Sequence, residues 1–354
     1  MESKLQKLTK ELKEETFERD VPRMDDENEN QRVTSLLLKF IKRFYVFSKK
    51  QIIEIVDRKN WENVSFDIKK GLTLSNPTVF VSICHVKQAR LLALMAFAYE
   101  LIRDNSYRTK RDIYYANQDI YPTQRYLDDV VEDVCCFLQT TRYRLHILSS
   151  CNGLIYGDVT IYFDKHTTHC LFQKQGTSLP HDVCNIRKIT SKADFIIVIE
   201  KDASMQSLID SKIVEKLNCI LITGKGYPDT NTRQLVSMMA DYLRIPIFGL
   251  FDANPFGIEI FLTYKFGSLM KWLGLLPSDI QHTTMRLQTM PLTFFDSKKL
   301  EELMDREYVR QDRTLYSELI SLRNFDRKAE IQALPREYLT QQFIPNRITD
   351  GTWL

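Results

Sequence analysis

The chain has 354 residues, of which 44% are apolar, and it carries a formal net charge of +3. This length is sufficient for two ordinary domains, and the apolar content is typical of a globular protein. The nearly balanced charge lacks the strong basic excess that is diagnostic of nucleic-acid binding. No window approaches 18 uninterrupted apolar residues, so we expect no transmembrane helix. The 7 cysteines show no disulfide framework and favour a reducing compartment.

The charges are unevenly distributed along the chain. Of the 49 Lys/Arg and 46 Asp/Glu residues, residues 1–30 hold 6 and 10, so the rest of the chain holds 43 and 36. We interpret residues 1–30, which end in a polar run, as an acidic leader that is amphipathic or partly disordered. The basic remainder favours anionic partners slightly, and a mixed solvated surface explains it equally well.

Residues 31–163 have the pattern of several helices followed by a short hairpin. Apolar residues at helical spacing predict helices over 36–47, 85–103 and 127–148, and residues 48–58 continue the first helix or start another. Residues 149–163 have strand character with two turn signals. This order predicts a winged-helix (CAP-like) DNA-binding domain with 149–163 as the wing. A helical bundle with a hairpin would give the same pattern.

Residues 164–190 are polar and irregular, and we interpret them as a linker or an insertion. They contain residue types that bind zinc, namely His166, His169, Cys170, His181 and Cys184. The spacing of these residues matches no standard zinc motif. A polar surface loop is therefore the favoured interpretation.

Strands alternate with helices in the second half of the chain, from residue 191 onwards. Buried-strand patterns at 195–199, 219–223 and 245–251 are separated by helical stretches at 202–217 and 230–243. This alternation predicts an α/β domain with a parallel sheet over 191–354, whereas the preceding region is α+β. Aromatic and apolar residues after 330 indicate that the C-terminal extension docks on this domain.

Carboxylates stand directly after two of these strand patterns. Glu200 follows the strand at 195–199, Asp252 follows the strand at 245–251, and Asn254 comes two residues later. Ligands bind beyond the carboxyl ends of strands in open α/β sheets, and Mg²⁺ prefers oxygen ligands. The pattern therefore indicates either a metal site or acids of which one or both only cap the following helix.

The segment RDIYY, Arg111 to Tyr115, follows a basic cluster that includes Lys110. Adjacent tyrosines on a helix point about 100° apart, so one can pack in the core while the other faces a groove. A phenol is a poor nucleophile at neutral pH unless its anion is stabilised, and Arg111 offers such a positive charge. On this pattern alone, a structural tyrosine pair is the favoured interpretation.

The order of the motifs along the chain indicates a protein family. RDIYY, VIEKDASMQSLI, ITGKGYPDTNTRQL and LFDANPFGIEIFLTYKFGS together closely resemble the Spo11 family, the meiotic relatives of the A subunit of archaeal topoisomerase VI. The resemblance covers most of the chain, residues 35–330. It implies a winged-helix domain that carries a DNA-cleaving tyrosine, followed by a Toprim domain whose acids bind Mg²⁺, with Mn²⁺ as a substitute.

The resemblance implies a role for each matching residue. The nucleophile is Tyr115, beside the packing neighbour Tyr114 and the positively charged Arg111. The metal ligands are Glu200 and Asp252, with Asn254 where the family has a second aspartate, a departure that puts the second metal position in doubt. The implied DNA contacts are Lys225, Tyr227 and Arg233, to which the basic cluster adds Lys110.

The implied reaction is a transesterification that leaves a 5′-phosphotyrosyl bond and a free 3′-hydroxyl. A dimer would cut both strands of double-stranded DNA, in the nucleus and on chromosomes, with a topoisomerase VI B-like partner and other subunits of the meiotic break complex. One alternative is the A subunit of a type IIB topoisomerase, which reseals the break. Another is a non-catalytic DNA-end-binding scaffold, which only Asn254 favours. The acidic leader and Asn254 favour the meiotic branch.

Overall fold

The computed structural model describes residues 3–14, 27–46, 53–58, 60–67, 71–74, 79–148, 151–164, 166–171, 173–180, 183–282 and 288–354. The chain divides into two compact units. We call residues 19–150 the helical unit, and residues 1–18 together with 151–354 the sheet unit. Among the described residues, no helix is both long and apolar enough to cross a membrane.

The helices of the described residues are α1 (Lys4–Glu14), α2 (Glu27–Val46), α3 (His85–Arg103), α4 (Lys110–Ala116), α5 (Gln124–Leu138), α6 (Asp202–Asp210), α7 (Ile213–Leu217), α8 (Thr230–Leu243), α9 (Pro255–Ser268), α10 (Pro277–His282), α11 (Phe294–Met304), α12 (Glu307–Gln311), α13 (Arg313–Phe325), α14 (Arg336–Tyr338) and α15 (Ile344–Asp350).

The strands are β1 (Ile53–Val56), β2 (Val64–Asp67), β3 (Gly71–Leu74), β4 (Phe80–Ile83), β5 (Arg108–Thr109), β6 (Ile147–Leu148), β7 (Leu154–Tyr156), β8 (Val159–Tyr162), β9 (Thr167–His169), β10 (Thr177–Ser178), β11 (Lys188–Ser191), β12 (Phe195–Ile199), β13 (Cys219–Thr223), β14 (Ile247–Leu250), β15 (Lys271–Gly274), β16 (Met290–Pro291) and β17 (Arg327–Lys328).

The core of the helical unit lies among α2, α3 and α5. The structure confirms the helix predicted over 85–103. The helix predicted over 127–148 ends earlier, at Leu138, because Gln139 takes up a left-handed conformation, and a 3₁₀ turn at Tyr143–Leu145 then precedes β6. Residues 48–58 were predicted to be helical, but the described part of this segment contains the strand β1, which pairs with β4.

The prediction that residues 149–163 form the wing is wrong. Strands β7 and β8 do not pair with each other: β7 pairs with β10 and β13, and β8 pairs with β9 and β11. Both strands therefore belong to the sheet unit, since its sheets provide their hydrogen-bond partners. In the helical unit the antiparallel pairs are β1–β4 and β2–β3. The fold class, a winged-helix-like helical unit and an α/β unit, is confirmed.

The main sheet of the sheet unit has the order β10-β7-β13-β12-β14-β15. Strands β13, β12, β14 and β15 are parallel, as the strand–helix alternation predicts. Strand β7 runs antiparallel to β13, and β10 runs antiparallel to β7. Both faces are covered, because side chains alternate along a strand and β12 and β13 are buried at every position. One face packs against α6 and α7 in the main core cluster.

The structure corrects the predicted domain boundaries. Residues 164–190 contribute β9, β10 and part of β11 to the sheet unit and bury Cys170 and Leu179, so this segment is part of the fold rather than a linker. The leader includes α1, whose Leu5 and Leu8 pack against the core cluster of the sheet unit. Residues 15–26 lie outside the described part of the chain. The C-terminal extension docks as predicted, with Trp353 against Phe248 at 5.0 Å between ring centroids.

Candidate active site

The sheet topology brings the two predicted acids together. Strand β12 lies between β13 and β14 and parallel to both, so their carboxyl ends meet at one edge of the sheet. Glu200 follows the last residue of β12, and Asp252 stands two residues after β14. We call Glu200 and Asp252 the acid pair. The backbone N–H of Asp252 donates to Glu200 Oε2 at 2.9 Å, which fixes the two residues side by side.

Each carboxylate oxygen of Asp252 has its own donor. The backbone N–H of Ile331 donates to Oδ1 at 2.9 Å, and the ammonium of Lys201 lies 2.8 Å from Oδ2. Lys201 also lies 3.1 Å from Glu330 Oε2. The side chain of Asp252 is 2% exposed, whereas those of Lys201 and Glu330 are 31% and 40% exposed. Asp252 is therefore a buried carboxylate with a cation on its solvent side.

The acid pair has perturbed proton affinities. Burial, and then repulsion from Asp252, raise the pKa of Glu200 to about 7. Burial likewise raises the pKa of Asp252, against the opposing effect of the hydrogen bond from Lys201. Burial disfavours the charged form of Lys201, but the hydrogen bond and charge of Asp252 outweigh it and raise the pKa of the ammonium. Burial thus disfavours the negative charges of both carboxylates, and a bound cation would stabilise these charges.

Asn254 has a structural role in this arrangement. It is the N-cap of α9, and its Oδ1 accepts a hydrogen bond from the backbone N–H of Gly257 at 2.8 Å. Pro255 at the first helical position fits the same start of the helix. A side chain at Gly257 would collide with the backbone carbonyl of Asp252, so only glycine allows α9 to start this close to the acid pair. Asn254 therefore caps α9, whereas neither acid of the pair is the N-cap of the helix that follows it.

Sequence reasoning missed Lys201 and Glu330. Lys201 is the residue after Glu200, and a basic residue beside a proposed metal ligand was a visible signal. Glu330 comes from a distant segment, which the bridge between Ala253 and Ala329 brings to the site. No sequence pattern predicts the pairing of Ala253 with Ala329.

The glycine-rich turn after β13 lies beside the acid pair. The backbone N–H of Gly226 donates to the Glu200 carbonyl at 2.8 Å, which ties the turn to the end of β12. A side chain at Gly224 would collide with Tyr264 and Pro228. Lys225 is exposed and has a positive φ of 58°, so this turn presents a lysine on tightly folded backbone.

Tyr227 in the same turn is anchored by a carboxylate on α9. Its hydroxyl donates to Glu259 Oε2 at 2.5 Å, although the residue is 51% exposed. Glu259 also pairs with Lys299 at 3.2 Å and with Arg306. Burial disfavours the charged form of Glu259, but the hydrogen bonds from Tyr227 and Arg306 outweigh it and lower its pKa. Glu259 thus holds the turn and two cations of the following helices together.

The predicted nucleophile lies on a short, well-capped helix of the helical unit. Helix α4 begins after Thr109, which forms a capping box with Asp112. Tyr114 packs against the core cluster, and Tyr115 is 56% exposed, which confirms the predicted difference between the two rings. The guanidinium of Arg111 lies 5.7 Å from the ring centroid of Tyr115. A cation therefore accompanies an accessible phenol.

The remaining predicted residues are placed as follows. Lys110 is mostly buried and pairs with Asp128 on α5 at 2.8 Å, so it stabilises the helical unit as well as contributing charge. Arg233 is exposed in the first turns of α8. Of the proposed zinc residues, Cys170 is buried and His169 bonds to the Thr160 hydroxyl at 3.0 Å, while the His181 residue and the Cys184 side chain lie outside the described part.

The acid pair fits a divalent cation through its chemistry. Over the described residues, no group of three or more His, Cys, Asp or Glu side chains forms a ready metal cluster. Two buried carboxylates nevertheless provide oxygen ligands, and Mg²⁺ commonly uses one or two carboxylates and keeps several waters. Glu200 and Asp252 are the residues that would hold it.

The fold and the acid pair define a Toprim-type domain, a class of domain that generally binds metal. Comparison with known families agrees with this class. Residues 195–348 match the family described as the Toprim domain of Spo11 and the topoisomerase 6 A subunit, while residues 87–147 match the family described as type IIB DNA topoisomerase. The second match contains the whole of α4.

Named relatives cover most of this chain. It is 35% identical to the meiotic recombination protein SPO11 of Homo sapiens, over 85% of this chain and 82% of that protein. It is 32% identical to the meiotic recombination protein SPO11-1 of Arabidopsis thaliana, over 73% and 76%, and 30% identical to the A3 subunit of DNA topoisomerase 6 from Oryza sativa subsp. indica, over 78% and 66%. The chain belongs to the family formed by Spo11 and the topoisomerase 6 A subunit.

Proposed function

We propose that this protein makes meiotic DNA double-strand breaks by transesterification. Tyr115 is the nucleophile, Arg111 stabilises its anion, and the acid pair holds Mg²⁺. The observation that carries the proposal is the exposure of Tyr115, at 56%, beside a guanidinium on a helix within the type IIB topoisomerase match. A tyrosine with only a packing role would lie against the core, as the partly buried neighbour Tyr114 does.

The chemistry follows from these groups. The Tyr115 oxygen forms a bond to a backbone phosphorus while the bond from phosphorus to the 3′ oxygen breaks. The phenol proton leaves to solvent and the departing 3′ oxygen takes up a proton, which gives a 5′-phosphotyrosyl bond and a free 3′-hydroxyl. No water is consumed. Glu200 and Asp252 would hold Mg²⁺, which when bound would supply positive charge to the phosphate oxygens.

Tyr115 and the acid pair belong to different compact units of the chain. We propose that a dimer assembles each cleavage site from the tyrosine of one protomer and the acid pair of its partner, so that two protomers cut both strands. Lys225, Tyr227 and Arg233 contact the DNA backbone, and Lys110 adds positive charge near Tyr115. We further propose that the protein acts on chromosomes in the nucleus, with a topoisomerase VI B-like partner and other break-complex subunits.

Covalent trapping tests this proposal. The protein, with any co-purifying partner, is incubated with 3′-labelled duplex DNA and Mg²⁺ or Mn²⁺, and then denatured, because the 3′ part of each cut strand is the part that stays linked to the protein. We expect protein-linked 5′ ends with the wild type and with the control Tyr114→Phe, and none with Tyr115→Phe or Glu200→Ala. An undiminished linked species in Tyr115→Phe would overturn the assignment of the nucleophile. DNA binding without any linked species, even with the partner present, would favour the scaffold function.

A second candidate function is the A subunit of a resealing type IIB topoisomerase, favoured by the 30% identity to the rice topoisomerase 6 protein. It shares the cleavage step. ATP-dependent relaxation of supercoiled DNA with an ATPase B subunit would favour this candidate, whereas persistent protein-linked breaks would favour the meiotic function. The higher identity to a meiotic recombination protein supports the latter.

A further inference from the structure

The acid pair has a positively charged group of its own chain at one of the carboxylate oxygens of Asp252. The ammonium of Lys201 lies 2.8 Å from Asp252 Oδ2 and 3.1 Å from Glu330 Oε2. The other oxygen of Asp252, Oδ1, accepts the N–H of Ile331 at 2.9 Å. Oδ2 is therefore the oxygen of Asp252 that pairs with the Lys201 ammonium.

We propose that Lys201 is a tethered cation that occupies Asp252 Oδ2 until a divalent metal ion binds there and displaces the ammonium towards Glu330. The inference rests on the proposed metal site at the acid pair and assigns a competing role to a residue outside that site's ligands. It predicts that Lys201 competes with the metal rather than assisting its binding.

The competition follows from distance and charge. A Mg²⁺ ion lies about 2.1 Å from a ligand oxygen, so a metal and an ammonium sharing Oδ2 would be within a few ångströms of each other and repel strongly. Asp252 is fixed by its burial and by Ile331, whereas Lys201 is partly exposed on a flexible stem. The ammonium is thus the group that moves, and the exposed carboxylate of Glu330 is already within its reach.

The arrangement also gives the ammonium a role when no metal is bound. A buried carboxylate without a partner is destabilising, and Lys201 compensates the charge of Asp252. The ion pair therefore compensates a buried charge in the absence of metal, and a metal ion must displace it in order to bind.

Metal binding without DNA tests the inference directly. Mn²⁺ binding is measured by electron paramagnetic resonance and by calorimetry for the wild type, Lys201→Met, Glu200→Gln and the control Lys216→Met, which changes an exposed lysine on α7. We expect Lys201→Met to bind Mn²⁺ about tenfold more tightly than the wild type, because a competing partly buried ion pair is lost. Lys216→Met should bind like the wild type, and Glu200→Gln should bind poorly.

The outcomes separate this inference from the proposed function. If Glu200→Gln loses the Mn²⁺ site but Lys201→Met binds with unchanged or weaker affinity, the metal site stands and the competing role of Lys201 is refuted. If Glu200→Gln binds Mn²⁺ like the wild type, the metal site at the acid pair fails, and the inference fails with it.

A structure of the wild-type protein with Mn²⁺ provides a test that needs no variant, should Lys201→Met not fold. We expect manganese at Asp252 Oδ2 and the Lys201 ammonium beyond hydrogen-bond distance of that oxygen. Manganese at the acid pair with the ion pair between Lys201 and Asp252 intact would overturn the inference.

Discussion

Replacing Glu200 with glutamine measures what a charged carboxylate costs this site in the absence of metal. Glu200 is 7% exposed, and burial together with Asp252 raises its pKa from an ordinary value of 4.5 to about 7. The difference corresponds to about 3 kcal/mol. Glutamine keeps the shape and a carbonyl oxygen that can still accept the N–H of Asp252, so the substitution removes mainly the charge.

The effect must depend on pH in a defined direction. Because the folded protein binds the Glu200 proton more tightly than the unfolded chain, the stability from this group is fully present below pH 4.5. It is lost as the pH rises through about 7. In metal-free buffer we therefore expect Glu200→Gln to be more stable than the wild type by about 2–3 kcal/mol at pH 8 and nearly equal to it at pH 4.5.

Urea unfolding in EDTA, followed by tryptophan fluorescence, measures this difference, because Trp272 and Trp353 both lie in the sheet unit. Glu215→Gln, which changes an exposed residue of α7, is the matched control and should show no such gain. Added Mn²⁺ should stabilise the wild type and not Glu200→Gln. An equal difference at both pH values, or a variant less stable at pH 8, would refute the reasoning.

Three further substitutions test the surroundings of the two sites. Gly257→Ala should destabilise the sheet unit by about 2–4 kcal/mol, because its Cβ would strike the Asp252 carbonyl; an unchanged thermal midpoint would contradict this. Asn254→Asp should preserve the cap of α9 and change stability by less than about 1 kcal/mol, while the added charge tightens Mn²⁺ binding severalfold. Calorimetry showing unchanged affinity would place residue 254 outside the metal's reach. Thr109→Ala should cost about 1 kcal/mol by removing the cap of α4, and should reduce protein–DNA linkage through Tyr115 more than it reduces DNA binding. Equal losses in both assays would count against a positioning effect.

The parallel sheet was predictable because its strands are buried on both faces. The segment FIIVI in β12 is continuously apolar and ends at a carboxylate, so both its burial and the direction of Glu200 follow from general rules. Helices α3 and α8 were equally clear, because their apolar spacing runs unbroken between their ends. Both acids could therefore be placed at the carboxyl edge of the sheet from the sequence, whereas the structure shows that their strands are neighbours.

The errors arose where pairing partners are distant in the sequence. Strand β7 looks like half of a hairpin with β8, but its partner β13 lies more than 60 residues further along the chain. Strand β10 is two residues long, too short for a period to be visible in a polar segment. Glu330 reaches the acid pair only because a backbone bridge joins Ala253 to Ala329. Such long-range pairings depend on the whole fold and leave no local pattern.

Identification of the amino acid that carries the DNA tests the central claim most directly. The trapped protein–DNA species is treated with nuclease and protease, and mass spectrometry locates the remaining 5′ nucleotide on the peptide. The transesterification proposed here predicts a nucleotide phosphate on Tyr115, within the peptide that contains RDIYY. A nucleotide on any other residue, or broken DNA ends without attached peptide, would contradict it.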